Sequence, residues 1–333
     1  MILVTGGAGY IGSHTVLNLS EKNEKIVIFD NLSSGHIETI EALKKINPEI
    51  CFEKGDLNNI LNIEQVFKNY DITEVIHFAA FSLVEESVYN PAKYYKNNVS
   101  GTLNLLDTMV KYNVLKIVFS STAAIYGEPE YSPTDENHPK NPINPYGKTK
   151  LIIENIMDDY DKAYNLKSIR LRYFNVAGAD EKSRIGEWHD IETHLIPNII
   201  KSTYLKTEPF KIFGDDYNTP DGTCIRDYIN VCDLADAHYL AVKYLRKENK
   251  TDVFNLGTKE GTSVKQIFEL SKEILNKNIN YEITSRREGD PAILCANPAK
   301  AMKILGWNIS HTVKDSIKTA YLWEDKMQKN NNQ

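Results

Sequence analysis

Tyr146 and Lys150 stand four residues apart in PYGKTK, directly behind Pro145. On a helix, this spacing puts both side chains on one face, about 6 Å apart along the axis. A tyrosine beside a lysine can move protons at neutral pH once its phenol is acidic enough. A free tyrosine titrates near 10, whereas a base at neutral pH needs roughly 7. That gap is about 4 kcal/mol. A cation 5–6 Å away supplies roughly 3 kcal/mol at an effective dielectric near 20. Lysine alone is therefore marginal, and a second positive charge would close the gap. Upstream, FSSTAAIYG (119–127) offers the hydroxyls of Ser120, Ser121 and Thr122. Each feature has a plainer reading: a polar helix start, or hydroxyls finishing a strand. The spacing is common by chance, so the rest of the chain has to decide.

These groups need a scaffold that brings them together. ILVT (2–5), KIVIFD (25–30), ICFEKGD (50–56), EVIHFAA (74–80) and KIVFSS (116–121) are short and rich in Val, Ile and Phe. Amphipathic stretches at 11–22, 59–69 and 92–112 lie between them. Apolar strands alternating with helices predict a parallel sheet covered on both faces. KSIRLRYFN (167–175) extends it. The fold class expected is α/β, a Rossmann-type doubly wound parallel sheet with a smaller mixed α/β substrate-binding domain. In such sheets reactive groups gather at the carboxyl ends of the strands, where Ser120 to Thr122 fall. The rhythm breaks near residue 176. Residues 1–176 are expected to form the cofactor-binding domain, and 177–330 mainly the substrate domain, with crossover segments returning to the first. Only the Asn-rich tail (330–333) reads as disordered.

VTGGAGYIGSH (4–14) joins the first strand to the first helix. Gly7, Gly9 and Gly12 satisfy Gly-x-Gly-x-x-Gly, and Gly6, Gly9 and Gly12 satisfy Gly-x-x-Gly-x-x-Gly. Such glycines allow a tight turn and close approach of backbone to a pyrophosphate, with free N–H groups at the helix N-terminus. The motif alone is weak, but its place between strand and helix is the required one. The second strand ends in Asp30, placed to grip the adenosine ribose hydroxyls; its plainer role is a strand-end turn. A carboxylate there repels a 2′-phosphate, and DNLSSGH has no arginine to receive one. NAD is therefore expected over NADP.

The chain has 333 residues and a net charge of −6, which argues against a general nucleic-acid binder. No apolar run reaches the roughly 20 residues of a membrane span, and no signal peptide is read at the N-terminus. The four cysteines form no Cys-x-x-Cys pair and read as reduced thiols, which places the chain in the cytoplasm. The eight histidines show no His-x-x-x-His pattern, so no metal site is expected.

TGGAGYIG, SSTAAIYG and PYGKTK, in this order, resemble the extended short-chain dehydrogenase/reductase family. HFAA (77–80), YYKNNVSGT (94–102), RYFNVAGA (172–179), DGTCIRDYI (221–229) and RREGD (286–290) narrow the resemblance to its UDP-sugar 4-epimerases. The resemblance covers nearly the whole chain. It implies tightly bound NAD and interconversion of UDP-glucose and UDP-galactose. Tyr146 would take the 4-hydroxyl proton while the C4 hydride passes to NAD. Thr122 would hydrogen-bond that hydroxyl, and Lys150 would support Tyr146. The 4-keto sugar would turn about its diphosphate link and take the hydride back on its other face.

By the same resemblance Tyr10, Ile11, Asn31, Asp56, Leu57, Phe78, Ala79, Ala80, Asn97, Ser120 and Tyr173 contact the cofactor. Arg226 and Arg287 hold the diphosphate, with Asn175 beside them. Phe213 stacks on uracil and Asp290 holds a ribose hydroxyl. A lysine common after the HFA segment is Ser82 here, and an asparagine common before the L-x-P segment is His194, followed by Leu195. His194 is either a nucleotide contact or a satisfied structural histidine. Leu294 borders the sugar 2-substituent where similar enzymes can carry tyrosine, so N-acetylated UDP-sugars would fit. Helices 92–112 and 146–163 would pair across a homodimer as a four-helix bundle. Double burial within one chain would equally explain their Leu103, Leu106, Met109, Leu151, Ile152, Ile153, Ile156 and Met157. Two rivals stand against this reading. Nucleotide-sugar 4,6-dehydratases carry an Asp-Glu pair directly after the threonine, where this chain has Ala123 and Ala124. A non-catalytic NAD-sensing protein would have no need to keep Tyr146 and Lys150.

Overall fold

The computed structural model describes residues 1–204, 209–287 and 290–331. Six strands alternate with helices along the first half: β1 (Ile2–Thr5), β2 (Ile26–Asp30), β3 (Cys51–Lys54), β4 (Glu74–His77), β5 (Lys116–Thr122) and β6 (Lys167–Tyr173). All pair in parallel, and a seventh strand, Asp252–Leu256, closes the sheet beside β6. The spatial order runs from Asp252–Leu256 through β6, β5, β4, β1, β2 to β3. It reverses between β1 and β4, the crevice in which doubly wound sheets bind ligands. The expected α/β doubly wound sheet is what the chain forms.

The central strands are apolar on both sides because both faces are covered, whereas β3 ends in Glu53 and Lys54 at the sheet edge and β6 carries Ser168, Arg170 and Arg172 on one side. One face packs Val4, Ile28, Val118 and Leu171 against α1 (Tyr10–Glu21) and the helix Val231–Glu248. The other packs Leu3, Val75, Ile117 and Phe119 against Val66, Leu105, Leu106, Met109, Ile153 and Met157. Leu106, Met109, Ile153 and Met157 are thus buried within one chain. A third core, with Ile196, Ile199, Ile212, Phe268 and Ile317, belongs to the second half.

Two elements depart from the sequence reading. The stretch expected as one helix over 92–112 is Pro91–Tyr94, then a π-helical turn Tyr95–Ser100, then Gly101–Lys111. Inside the turn Asn98 donates to the carbonyl of Phe81 (3.0 Å) and accepts from its N–H (2.9 Å). A wide turn at such a contact is where π geometry commonly occurs. The strand expected over 167–175 stops at Tyr173. Asn175–Ala177 forms a separate short strand paired with Tyr228–Asn230, which carries the chain from the sheet into the second half. The tail is helical through Asn331, and residues 332–333 lie outside the described residues. Among the described residues no helix is long and apolar enough to cross a membrane.

The imidazoles buried within this scaffold include His14, His77 and His238. Burial lowers His14 and His238 to about 4 and His77 to about 3. Their ordinary value is near 6.5. Below it the unfolded chain takes up protons that the fold refuses, so stability is complete above about 6.5 and falls with acid. Each group adds a slope of roughly 1.4 kcal/mol per pH unit in that window. His189, His194 and His311 are held above 6.5 and are charged in both states there, so they add no acid slope. The urea midpoint is expected to fall markedly between about pH 6.5 and pH 5, above the carboxylate range. Equal midpoints would show that these imidazoles are not held neutral.

Candidate active site

The helix Pro145–Tyr164 begins at a cap. Asn144 accepts the N–H of Gly147 at 2.8 Å, and Pro145 fits the first helical position. Ser87 takes the free N–H of Tyr146 at 3.2 Å. Gly147 lets the helix approach β5: a Cβ there would lie 2.5 Å from the carbonyl of Ala124. The first turn is therefore pressed against the end of β5.

That contact brings the three expected residues together. The Thr122 hydroxyl lies near enough to the Tyr146 phenol to oppose its upward shift. The Thr122 hydroxyl also accepts the N–H of Ala124 at 3.2 Å. Lys150 donates to the Ser120 carbonyl at 2.8 Å, with its nitrogen 5.9 Å from the Tyr146 ring centre. Phe119 offers Lys150 a ring face at 4.8 Å. Ser120 and Tyr173 share a short hydroxyl contact on the same strand ends.

The electrostatics differ from the sequence expectation. Tyr146 is not lowered by Lys150: burial pushes the phenol up to about 12. Burial also lowers Lys150 to about 7, against the pull of Glu154. At neutral pH this lysine is only partly charged. The chain's own groups thus hold Tyr146 protonated.

Beneath them lies a buried network. Glu154 takes two bonds from Arg172, 2.9 Å from Nε and 2.6 Å from Nη2, and a third from the Ser121 hydroxyl at 2.6 Å. Arg172 also donates to the Tyr126 hydroxyl at 2.9 Å, which in turn donates to Asn255 at 2.6 Å. The sequence marks none of this, because only the fold sets Arg172 under a helix placed earlier in the chain.

The glycine loop has the form expected of a dinucleotide cradle. Gly12 faces Gly6 so closely that a Cβ would lie 2.2 Å from the Gly6 carbonyl oxygen. Gly9 precedes α1 with no side chain capping the helix. Asp30, at the end of β2, accepts the N–H groups of Ala8 (3.0 Å) and Leu32 (2.8 Å) and is raised by burial. Asn31 donates to Asp56 at 3.0 Å, which ties the ends of β2 and β3 together. Leu57 is buried, and Phe78, Ala79 and Ala80 follow β4. Tyr10 turns its hydroxyl to the carbonyl of Gly178 at 2.6 Å, and Ile11 packs on the core. Asn97 lies on the π-helical turn and donates to Asn98 at 3.0 Å. Glycines without side chains, a free helix N-terminus and a carboxylate at the second strand suit a dinucleotide without a 2′-phosphate.

The second half supplies a polar group near the strand ends. Arg226 is 3.2 Å from Asp290 and donates to the Ile225 carbonyl at 2.9 Å. Arg287 lies over the Phe213 ring at 4.1 Å. Leu294 pairs in register with Arg226 and packs on the cluster of Ala123, Tyr126 and Phe174. Asn175 is exposed at the head of its short strand. His194 precedes the helix Leu195–Ser202, and its imidazole meets Glu187 at 2.6 Å and Glu192 at 3.3 Å. Sequence reasoning missed Asp227. It is fully buried and accepts N–H groups from Thr258 (2.7 Å), Ala296 (3.0 Å) and Lys259 (3.1 Å). Its place directly after Arg226 in DGTCIRDYI is the one signal that could have marked it.

A family model described as GDP-mannose 4,6 dehydratase matches residues 3–320. The UDP-glucose 4-epimerase of Halalkalibacterium halodurans is 49% identical over 97% of this chain and 95% of its own. The solved structure of UDP-glucose 4-epimerase from Bifidobacterium longum, in complex with NAD+ and UDP, is 38% identical. It superposes with a TM-score of 0.92 over 98% of both chains. The UDP-Glc/GlcNAc 4-epimerase of Campylobacter jejuni is 39% identical, with a TM-score of 0.86 over 98% of this chain and 99% of that one. Full-length likeness at these identities, on a seven-stranded sheet that brings Thr122, Tyr146 and Lys150 together, places the chain in the UDP-glucose 4-epimerase family of the extended short-chain dehydrogenases/reductases.

Proposed function

We propose that the chain interconverts UDP-glucose and UDP-galactose by inverting C4 of the sugar, with NAD kept bound. The observation that carries this reading is the convergence of Thr122, Tyr146 and Lys150 at the carboxyl end of β5. When bound, NAD supplies a hydride acceptor and, in its oxidised form, a positive charge. Gly6, Gly9, Tyr10, Ile11 and Gly12 cradle its diphosphate; Asp30 and Asn31 hold its adenosine ribose, with Asp56 and Leu57 near the adenine. Phe78, Ala79, Ala80, Asn97, Ser120 and Tyr173 line the remaining wall.

Tyr146 exchanges the proton of the sugar 4-hydroxyl, and Thr122 orients that hydroxyl through its own. Burial keeps Tyr146 protonated until positive charge is added, which ties its basicity to the oxidised cofactor. Lys150, partly charged at neutral pH, keeps its amine close to the phenol while anchored to Ser120. Arg226, Arg287 and Asn175 take the diphosphate, for which a forked cation is suited. Phe213 and Asp290 hold the uridine, and His194 and Leu195 close it off at the head of their helix.

The dehydratase description of the family model raises the alternative of water removal. Ala123 and Ala124 follow Thr122, and two methyl groups cannot exchange protons. Epimerisation without dehydration is therefore the reading favoured. The division at residue 176, a cytoplasmic setting suited to four free cysteines, and a homodimer through the helices Gly101–Lys111 and Pro145–Tyr164 belong to the same reading. For the dimer, Leu103, Ile152 and Ile156 remain only half-buried in one chain. A monomeric mass by sedimentation at micromolar concentration would remove it.

The central test needs no added cofactor. Purified protein given UDP-galactose should form UDP-glucose without net NADH; steady NADH accumulation would point to a dehydrogenase instead. Tyr146→Phe keeps the ring and loses the proton carrier. It should retain bound NAD and lose roughly 10²–10⁴-fold in turnover. Epimerisation at the wild-type rate would take Tyr146 out of the mechanism.

Leu294 sets the second test. It is only half-buried and packs beside Ala123, at the end of the strand that carries Thr122. A leucine leaves space that a tyrosine would fill, so UDP-N-acetylglucosamine and UDP-N-acetylgalactosamine should also be substrates. Overpacking a tight site costs about 1–3 kcal/mol, or roughly ten- to a hundredfold in rate. Leu294→Tyr should lower kcat/KM by that factor for the acetylated pair alone. An equal loss for both pairs would show that Leu294 serves only packing.

A further inference from the structure

Four side chains gather on the loop before the helix Leu195–Ser202. Glu187, His189, Glu192 and His194 lie in GEWHDIETH, and one ligand atom from each falls within 4.8 Å of all the others. We propose that these four residues form a closed binding site for a borderline divalent metal ion of the Zn²⁺ class. The proposed chemistry at Thr122, Tyr146 and Lys150 is untouched by it, but His194 would then serve the metal and leave the nucleotide to Leu195 and the other groups.

The distances fit a coordination shell. Zinc bonds to nitrogen and oxygen run about 2.0–2.2 Å, which sets tetrahedral ligand-to-ligand edges of about 3.4 Å. The imidazole-to-carboxylate separations are 2.6 Å and 3.3 Å for His194, and 3.4 Å and 3.7 Å for His189. They bracket that edge. Two imidazoles and two carboxylates, with no thiolate, select a borderline nitrogen–oxygen metal over a soft one. Binding would displace the protons of both imidazoles, and the two carboxylates would then neutralise the divalent ion.

A second observation is independent of the spacing. The Glu187 side chain is only 4% exposed, and neither carboxylate oxygen receives a hydrogen bond. His194 and His189 reach one of these oxygens as ion-pair partners, at 2.6 Å and 3.4 Å, and the other oxygen is left without either. A buried carboxylate held by ion pairs alone, with no well-formed hydrogen bond, is under-satisfied. A cation among the four groups would satisfy it. Glu192 is better served. One oxygen accepts the N–H groups of Thr193 and His194, each at 2.9 Å. The other lies 3.5 Å from the Lys201 ammonium and 3.7 Å from His189.

The loop holds these ligands in place. Trp188 stacks on His36 at 3.9 Å, and Trp323 donates to the Glu187 carbonyl at 2.9 Å. His189 sets its ring edge-on to Tyr10, 6.3 Å away on the first turn of α1. A metal here would fasten the loop that leads into Leu195 against the glycine cradle. It would do so as a structural ion, since four protein ligands leave no open position.

The test uses the full-length protein with its cofactor, stripped by chelator and dialysed. Calorimetric titration with Zn²⁺ should give one equivalent per chain. Saturating Zn²⁺, at about 100 times Kd, should raise Tm by roughly 4–6 °C. Co²⁺ should give visible d–d bands without a thiolate charge-transfer band, which separates the site from the cysteines. His189→Gln and Glu192→Gln should each weaken Zn²⁺ at least tenfold. The wild-type titration stands even if a variant fails to fold. Absence of stoichiometric binding to wild type would overturn the proposal and leave a self-neutralising pair of His–Glu contacts. Binding unchanged in folded His189→Gln, or a thiolate band with Co²⁺, would overturn it as well.

Discussion

The buried pair of Glu154 and Arg172 is the constraint on which the rest of the site depends. It fastens the middle of the helix Pro145–Tyr164 to β6, while Ser121 fastens the same carboxylate to β5. Both side chains are almost wholly buried, at 1% and 3% exposure. Removing one partner of such a pair typically costs 3–5 kcal/mol, because the other is left charged and dry. Glu154 is also the carboxylate that supports the charge on Lys150, one turn earlier on the helix. Position and electrostatics are thus set by one group. The Asn144 cap and the close packing of Gly147 then fix the first turn, and with it Tyr146.

How much of this was legible in the sequence depended on whether a signal was local. The glycine loop, the apolar strands and the Tyr146–Lys150 pair each declare themselves within a dozen residues. The structure puts them where that reading places them. The π-helical turn at Tyr95–Ser100 was hidden, since the contact made within it, Asn98 with the backbone of Phe81, lies far off in sequence. The group around Glu187 was hidden for another reason. His189 and His194 lie five apart on a loop, and no helical or strand period brings them together. The sign of the Tyr146 shift was missed because burial was left out. A cation at 5–6 Å was weighed in a medium of fixed dielectric, whereas packing raises the phenol and discharges the lysine together.

The proposed nucleotide side is self-paired. Arg226 rests on Asp290 and Arg287 on Phe213. A diphosphate binding there would have to compete for cations that already have partners. The net gain is the difference between two sets of contacts, not the sum of the new ones. Asp290 answers the charge of the nearly buried Arg226, although Nη2 makes no hydrogen bond, while Arg287 leans on a ring face. This pairing also makes the grip depend on the whole nucleotide: uridine must displace Arg287 from Phe213 or share the ring with it.

The order of the sheet has a consequence for how the molecule is made. β6 has one neighbour, β5, until the strand Asp252–Leu256 arrives on its other side. Everything between Tyr173 and Asp252 leaves the ribosome first. At roughly 5–20 residues per second, a strand buried in the finished protein spends several seconds as an open edge. Such an edge is a template for pairing with other chains. Its carboxylate-paired arginines, Arg170 with Asp158 and Arg172 with Glu154, place charge on that strand before its second neighbour exists. The same ion pairs that steady the site would then also guard the nascent chain.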